Sequence, residues 1–295
     1  MAGRVLIGIS GWRYKGWRGV FYPKGLQQRR ELEFASRKFQ SIEINGTHYS
    51  LQRPESFASW DAETPEGFVF AAKGSRFITH MLKLRGVEGA LSNFFAQGLL
   101  RLGPKMGPML WQFPPMLKFD RERFETFFKM LPRTMKAAAK LAKKHDERLD
   151  GRDWLKVKGD AKVRHCVEIR HESFAVPAFV ALLREYDIGL VVADTVEWPL
   201  LMDVTSDFVY CRLHGSEKLY VSGYGDAALD VWARRVVAWA RGGDSPDGRF
   251  ASDVRAAKSA GRDVYVYFDN DAKVHAPFDA ERLQARVDAL MAAGV

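Results

Sequence analysis

The sequence lacks most of the features that assign a chain to a known class of protein. It has only two cysteines, Cys166 and Cys211, in apolar runs and without CxxC spacing. This excludes the common cysteine-based zinc sites, and we expect both to be buried free thiols. HExxH, P-loop and GxSxG motifs are also absent, so nothing supports a zincin, an NTPase or a hydrolase with a nucleophile elbow.

Long apolar segments are missing as well. No run approaches the roughly 18 to 20 residues of a membrane span, and the chain passes soon after Met1 into a strand-like run rather than a signal peptide. We therefore expect a cytoplasmic protein that does not act at a membrane. A hydrophobic content of 47% and a charged content of 27% are ordinary for a globular chain of 295 residues.

Eight short runs rich in Val, Ile, Phe and Tyr are spaced along the chain, and most are separated by helix-like stretches. Near-continuous apolar strands that alternate with helices are typical of a parallel sheet buried on both faces. The predicted strands are Val5–Ile9, Ser41–Ile44, Phe68–Lys73, Pro108–Phe113, Arg164–Ile169, Gly189–Ala193, Phe208–Leu213 and Val264–Phe268.

Helical patterns lie between and after these strands. The predicted helices are Leu32–Lys38, Glu55–Trp60, Ala90–Leu102, Arg121–Lys144, Pro177–Tyr186, Asp230–Arg241 and Ala280–Ala292. Eight such units favour a closed (β/α)₈ TIM barrel over an open doubly wound sheet. The GxGxxG fingerprint of a dinucleotide fold is also missing after the first strand. We expect a single α/β domain over residues 1–295, with an insertion at about 133–163 between strands 4 and 5.

This insertion is basic. The formal net charge of the chain is +9, and residues 133–164 carry eleven Lys and Arg against five Asp and Glu. Arg133, Lys136, Lys140, Lys143 and Lys144 recur at spacings of three and four, which predicts a basic stripe on one helix face. The stripe is either a solvated outer face or a contact for a polyanion such as nucleic acid.

Polar and charged residues cluster at the carboxyl ends of the predicted strands, where barrel enzymes carry their chemistry. Ile42 and Ile44 flank Glu43, and Val167 and Ile169 flank Glu168. If the aliphatic residues face the helices, both glutamates point into the barrel. The same alternation turns Arg170, Arg212 and His214 inward. A ring of both signs would satisfy itself, and such rings often mark a functional site.

These strand ends supply the candidate site residues. Acid–base chemistry needs carboxylates or histidine, and binding an anion needs fixed cations and polar groups. The catalytic candidates are Glu43, Glu168, Asp194 and His214. The candidates for binding a substrate are Trp12, Tyr14, Asn45, Tyr49, Lys73, His80, Gln112, Arg170, His171, Arg212 and Asn270. The glycine-containing loop His214–Gly225 lies where many barrels bind phosphate with backbone amides.

Eight ordered segments resemble one family closely. They are ISGWRYKGWRGVFYP, SIEINGTHYSL, FAAKGSRFITHMLKL, GPMLWQFPP, VEIRHESF, VVADTVEWP, FVYCRLHG and VYVYFDNDAKVHAPFDA. Together they are similar to the domain-of-unknown-function family 72, the YecE-like proteins, over the whole chain except the insertion. The resemblance implies a TIM barrel related in shape to xylose isomerase and AP endonuclease, and it implies no established reaction.

The family motifs coincide with the strand-end residues, and the departures are few. Gly46 stands where the family tends to have serine, His48 where it tends to have phenylalanine, and Val274 where a glycine is common. Of these, His48 adds a polar group near the mouth of the barrel. The basic insertion is not implied by the resemblance.

Three functions stay open. The first is an enzyme, with hydrolysis of phosphate esters as the candidate reaction, in which Lys73, Arg170 and Arg212 bind an anionic substrate. A divalent metal is compatible with the carboxylates, but no motif specifies one. The second is a nucleic-acid-binding module that uses the basic stripe with exposed Trp12 and Trp17. The third is a sugar or sugar-acid isomerase or hydrolase that uses Glu43 and Glu168 as a carboxylate pair no further apart than roughly 10 Å.

Overall fold

A computed structural model describes residues 2–215 and 217–294. Eight parallel strands form a closed barrel in sequence order, and pairing between the first strand and the last closes it. This confirms the predicted (β/α)₈ fold. The strands are β1 Val5–Ser10, β2 Ser41–Ile44, β3 Val69–Lys73, β4 Met106–Gln112, β5 His165–Glu168, β6 Gly189–Asp194, β7 Phe208–Leu213 and β8 Asp263–Phe268.

Helices surround the barrel. They are α1 Glu31–Lys38, α2 Gly46–Tyr49, α3 Pro54–Glu63, α4 Glu88–Ala96, α5 Arg121–Met130, α6 Met135–Ala142, α7 Pro177–Glu185, α8 Asp226–Ala240 and α9 His275–Ala292. A short π-helix, Phe77–Met81, follows β3. Among the described residues, no helix has both the length and the hydropathy needed to cross a membrane.

Alternation along the strands gives the barrel interior two kinds of layer. Its lower part is a buried apolar cluster that includes Leu6, Leu110, Cys166, Tyr210 and Tyr267. Further along most of the strands, toward their carboxyl ends, the inward positions become polar. The inward polar residues are Ser10, Glu43, Lys73, Gln112, Glu168, Arg212 and Asp269. The fold therefore places a polar layer directly above an apolar plug, at the carboxyl ends of the strands.

The predicted helix Arg121–Lys144 is wrong as one element, because it divides into α5 and α6. Pro132 lies just beyond the end of α5, where its ring disfavours a continuing helix. The side chain of Thr134 then caps α6 by accepting from the amide of Ala137. The basic stripe is consequently not one helix face: Lys136 and Lys140 lie on α6, Lys143 and Lys144 follow its end, and Arg133 precedes it.

Other helix boundaries differ for local reasons. The predicted helix Ala90–Leu102 ends as α4 at Ala96, because Gly98 has a φ of +116° and a Cβ there would lie 2.5 Å from Cα of Pro54. A 3₁₀ segment, Leu99–Lys105, continues the chain. The two last helices, α8 and α9, begin four and five residues before their predicted starts at Asp230 and Ala280.

Candidate functional site

Arg212 occupies the centre of the polar layer and holds three carboxylates together. Its Nη1 donates to Glu168 at 2.7 Å, and its Nη2 donates to Glu43 at 3.0 Å and to Asp269 at 2.7 Å. The side chain of Arg212 is fully buried. Because charge-assisted bonds compensate the desolvation of each partner, this cluster is stable only as a complete set.

The electrostatics of the cluster favour the ionised forms. Burial alone would raise the pKa of Glu168, but Arg212 and Arg170 outweigh it and hold that pKa well below its usual value. For Asp269, burial is likewise outweighed by Arg212, so its pKa is also lowered. The carboxylates in turn hold the pKa of Arg212 well above its usual value, despite its burial.

Glu43 points into the barrel, as the alternation predicts, and its carboxylate is fully engaged. Ser10 donates to one oxygen at 2.5 Å, Tyr210 donates to the other at 2.5 Å, and Arg212 completes the set. Glu43 and Glu168 thus bind one guanidinium, which keeps them within the roughly 10 Å that a paired role requires. Neither lines the cavity at the strand ends, however, so both lie beneath its floor.

His214 lies in the same buried layer, between two carboxylates. Its Nδ1 lies 3.1 Å from Asp269, and its Nε2 lies 3.5 Å from Glu168. The rings of Trp198 and Tyr220 meet it edge-on. His214 therefore connects the cavity-facing Asp269 with Glu168 below it.

A cavity of about 710 Å³ opens above this layer. Its walls bring together most of the predicted substrate-binding residues, and His48 lies beside them. The predicted residues that line it are Trp12, Tyr14, Asn45, Tyr49, Lys73, His80, Gln112 and Arg170. Volume and lining are those of a site for a small molecule.

One wall of the cavity is cationic. It includes Lys73, Arg76 and Arg170. Arg170 donates to Glu168 at 2.8 and 2.9 Å, stacks on Trp198 at 4.1 Å and donates to Tyr220 at 3.3 Å. Arg212, the third cation of the phosphate-ester hypothesis, is not on this wall, because it is buried among its three carboxylates.

Lys73 is the unusual member of this wall. Its side chain is only 8% exposed, yet among residues 2–215 and 217–294 its ammonium has neither an ion pair nor a hydrogen bond. Burial lowers the pKa of Lys73 to about 8, and repulsion from Arg212 adds to this effect. The hydroxyl of Thr47 donates to the Lys73 carbonyl at 2.7 Å and fixes the backbone at this position.

Neutral polar groups accompany the cations. Burial, with repulsion from Lys73, lowers the pKa of His48 to about 3. Burial, with repulsion from Arg170, lowers that of His80 to about 4, so both rings are neutral at pH 7. The buried Oε1 of Gln112 has no hydrogen-bond partner. This wall therefore offers both fixed cations and an unused polar atom to a ligand.

The residues after β8 supply the negative charge of the cavity. Asp269 and Asp271 both line it, beside Tyr14. Burial raises the pKa of Asp271 to about 6, and the neighbouring Asp269 adds to this effect. The two carboxyls thus have pKa values displaced in opposite directions, an arrangement found where one group carries a proton and the other stays charged.

Asp269 and Asp271 stand among the charged residues at the end of the eighth predicted strand, but the sequence did not single them out as site residues. The signal was available in β8, where Tyr265 and Tyr267 alternate with Val264, Val266 and Phe268. Continuing that alternation turns Asp269 inward. Arg76 and Tyr220 lie in loops without such a period, so the sequence offered no comparable signal for them.

Three predicted residues lie away from the cavity. Asp194 faces α8, where Trp232 donates to it at 3.0 Å. His171 caps a 3₁₀ turn by accepting from the amide of Ser173. Asn270 donates to Asp279 at 2.9 Å and to the Ser222 carbonyl at 2.9 Å. These side chains therefore hold a strand end, a turn and a loop in place around the cavity.

The loop after β7 uses many of its backbone amides internally. The amide of Gly215 donates to the Tyr224 hydroxyl, those of Tyr220 and Ser222 donate to loop carbonyls, and that of Tyr224 donates to Asp279. Ser216, in the loop predicted to bind phosphate, lies outside the described residues. An anion in the cavity therefore depends chiefly on the side chains of the cationic wall.

The described residues hold no group of three or more His, Cys, Asp or Glu side chains suited to a metal ion. The carboxylates of the polar layer instead bind Arg212. Cys166 and Cys211 are both free and buried, as expected.

The aromatic residues that the nucleic-acid hypothesis needs at the surface are buried. Trp12 and Trp17 are 6% and 1% exposed, so the prediction that they are exposed is wrong. Trp12 packs edge-on against Trp60, and Trp17 packs against Tyr14 and Phe21. No residue of the 133–163 insertion lines the cavity.

Comparisons with known proteins agree with this architecture. The profile of the family described as "Protein of unknown function DUF72" matches residues 6–293. The UPF0759 protein YunF of Bacillus subtilis is 26% identical over 123 residues, which cover 40% of this chain and 43% of YunF. The UPF0759 protein YecE of Escherichia coli K12 is 28% identical over 110 residues, or 37% of this chain and 38% of YecE. These alignments thus span less than half of either relative.

Two solved structures are similar over nearly the whole chain. A DUF72 family protein from Thermotoga maritima MSB8 has a TM-score of 0.73 and 23% identity, covering 97% of this chain and 99% of that one. A DUF72 family protein from Enterococcus faecalis V583 has a TM-score of 0.67 and 17% identity, covering 96% and 95%. At these identities the likeness shows the fold. Together with the profile match, it shows that this chain belongs to the DUF72 family.

Proposed function

We propose that the cavity binds a small anionic molecule bearing a phosphate or a carboxylate, and that the protein acts on it as an enzyme. The observation that carries this proposal is Lys73, a nearly buried residue whose ammonium meets the cavity and has no ion pair or hydrogen bond within residues 2–215 and 217–294. A charge held largely away from water without a partner destabilises a folded protein by several kcal/mol, and a bound anion would offset this destabilisation. Arg76 and Arg170 lie on the same wall.

Proton transfer in this proposal belongs to the other wall. Asp271, with its pKa raised to about 6, exchanges a proton readily near neutral pH. Asp269 stays ionised beside it. Glu43, Glu168 and His214 lie below and hold Arg212, Arg170 and Asp269 in position. Hydrolysis of a phosphate ester, one of the three functions that the sequence leaves open, fits an anion on one wall and a base on the other.

Isothermal titration with inorganic phosphate tests the binding half of this proposal. Wild-type protein should bind phosphate at the cavity, and Lys73→Met should weaken binding roughly 10- to 100-fold, because a hydrogen bond to a charged group contributes about 1.5–3 kcal/mol. The matched control is Lys118→Met, which removes an exposed lysine outside the cavity. Equal affinity in Lys73→Met and wild type would refute the site.

A further inference from the structure

Lys73 differs from the two buried arginines beside it. Arg212 binds three carboxylates, and Arg170 binds Glu168 and the Tyr220 hydroxyl. Lys73 has no such partner within residues 2–215 and 217–294. The desolvation penalty of an unpaired ammonium is smallest when it releases its proton. The environment therefore makes the neutral amine of Lys73 accessible, although the ammonium still predominates at pH 7.

The groups around Lys73 strengthen this tendency. Arg212 belongs to the same polar layer, and its charge opposes a second cation nearby. Glu43, Asp269 and Glu168 favour the ammonium, but Arg212 already binds all three. With a pKa of about 8, Lys73 is a neutral amine in roughly one molecule in ten at pH 7, far more often than an ordinary lysine. A lysine amine that is desolvated beside another cation is a nucleophile toward carbonyl carbon.

A proton carrier lines the same cavity. Imine formation requires an acid to protonate a departing hydroxyl, and later a base to accept a proton. Asp271 is partly buried, with its pKa raised to about 6, and it faces the same space as Lys73. Arg76 and Arg170 remain on the wall for an anionic group of the same ligand.

We propose that Lys73 forms an imine with a carbonyl compound that also carries a phosphate or a carboxylate, such as a keto sugar phosphate or a keto acid. This inference rests on the proposed function, because it needs the anionic group held at Arg76 and Arg170. It narrows the substrate class to anionic ligands with an aldehyde or ketone.

The step balances without a further reactant. The Nζ lone pair of Lys73 attacks the carbonyl carbon, the carbon–oxygen π bond breaks, and a proton moves from nitrogen to oxygen to give a carbinolamine. Asp271 then protonates the hydroxyl, which leaves as water while a carbon–nitrogen double bond forms. The remaining proton on nitrogen returns to Asp271. The net change is one amine and one carbonyl giving one imine and one water.

Reductive trapping tests this inference on the full chain. Protein is incubated with dihydroxyacetone phosphate and cyanoborohydride, and the adduct is located by intact mass and peptide mapping. We expect one adduct, with the mass of the probe less one oxygen atom, on Lys73. It should form at least tenfold faster than adducts on the exposed Lys118. Dihydroxyacetone without phosphate should react more slowly at Lys73.

Two variants sharpen the result. Lys73→Arg should lose the adduct, and Lys118→Arg should keep it. Asp271→Asn retains Lys73 and should slow trapping at least tenfold, so the test stands even if Lys73→Arg folds poorly. Trapping at an undiminished rate in Asp271→Asn would overturn the role of that carboxyl.

The imine and the anion site fail in different ways. If phosphate binds by titration but Lys73 is labelled no faster than Lys118, the imine is refuted and the anion site stands. If Lys73 is labelled quickly but phosphate neither binds nor slows labelling, the anion site is refuted. The inference requires both rapid labelling of Lys73 and its inhibition by phosphate.

Discussion

The cavity at the strand ends and the basic insertion at 133–163 both carry many charges, but they hold them differently. In the polar layer below the cavity, charges are buried and fixed by several partners, as in Arg212 with three carboxylates. In the insertion, Lys136, Lys140, Lys143 and Lys144 are exposed to solvent. In the buried set, Glu168, Asp269 and Arg212 combine fixed geometry with displaced pKa values. The chemistry of this chain is therefore expected at the cavity.

The comparison predicts its largest contrast at Arg212. Arg212→Met leaves three buried carboxylates without their shared cation, and the free energy of unfolding should fall by about 3–5 kcal/mol. Lys140→Met, in the insertion, should change it by less than about 0.5 kcal/mol. Urea unfolding at pH 7 measures both. Similar losses in the two variants would remove the distinction between the regions.

Low pH should destabilise the protein through the buried carboxylates that bind Arg212. Because Glu168 and Asp269 have lowered pKa values in the folded protein, they stay ionised when the unfolded chain has begun to bind protons. Their stabilisation is present above the usual carboxyl pKa of about 4 and is lost as the pH falls further. The urea midpoint should therefore drop steeply below pH 4. A flat profile there would contradict the assigned pairing.

Lys73 should behave in the opposite way to Arg212. Lys73→Met removes a largely buried charge that has no partner in the described part of the chain, so the protein should become more stable by about 1–3 kcal/mol at pH 7. The folded-state pKa of Lys73 is lowered to about 8, so its penalty is complete below pH 8 and fades as the pH rises toward 10.5. The stability advantage of the variant should fade over the same range, whereas Lys118→Met should show no such dependence.

The smallest effects belong to the insertion. Replacing Lys136, Lys140 and Lys143 together by glutamate should leave phosphate affinity unchanged within a factor of two, because none of the three lines the cavity. Titration calorimetry measures this directly. The same variant tests the nucleic-acid hypothesis, which predicts duplex binding that weakens steeply with salt and is lost on charge reversal. Salt-dependent binding lost in the variant would give the insertion a function of its own.

The sequence predicted the fold well because strand alternation is a local signal. Each predicted strand lies within two residues of the observed one, and the inward direction of Glu43 and Glu168 followed from their aliphatic neighbours. Helix ends were predicted less well where one residue decides the boundary, as Pro132 and Gly98 do. Such a boundary depends on one backbone conformation rather than on a period.

The site was harder to predict than the fold, because alternation along a strand shows which way a side chain points but not which residues it contacts. Strand alternation predicted that Arg212 points inward, but it did not predict that three carboxylates bind the guanidinium. It suggested Asp194 as a catalytic group, whereas its carboxylate contacts Trp232 on α8. It could not separate the paired Arg212 from the unpaired Lys73, since both are inward cations at strand ends. That distinction depends on contacts between residues far apart in the chain.

The proposed anion site requires that the charge of Lys73 destabilises the folded protein and that a bound anion removes this destabilisation. Thermal unfolding of wild type and Lys73→Met, each with and without inorganic phosphate, measures both. We expect Lys73→Met to be the more stable protein without phosphate, and added phosphate to stabilise wild type far more than the variant. A variant that is less stable than wild type without phosphate, or that gains as much from phosphate, would contradict the proposed anion site.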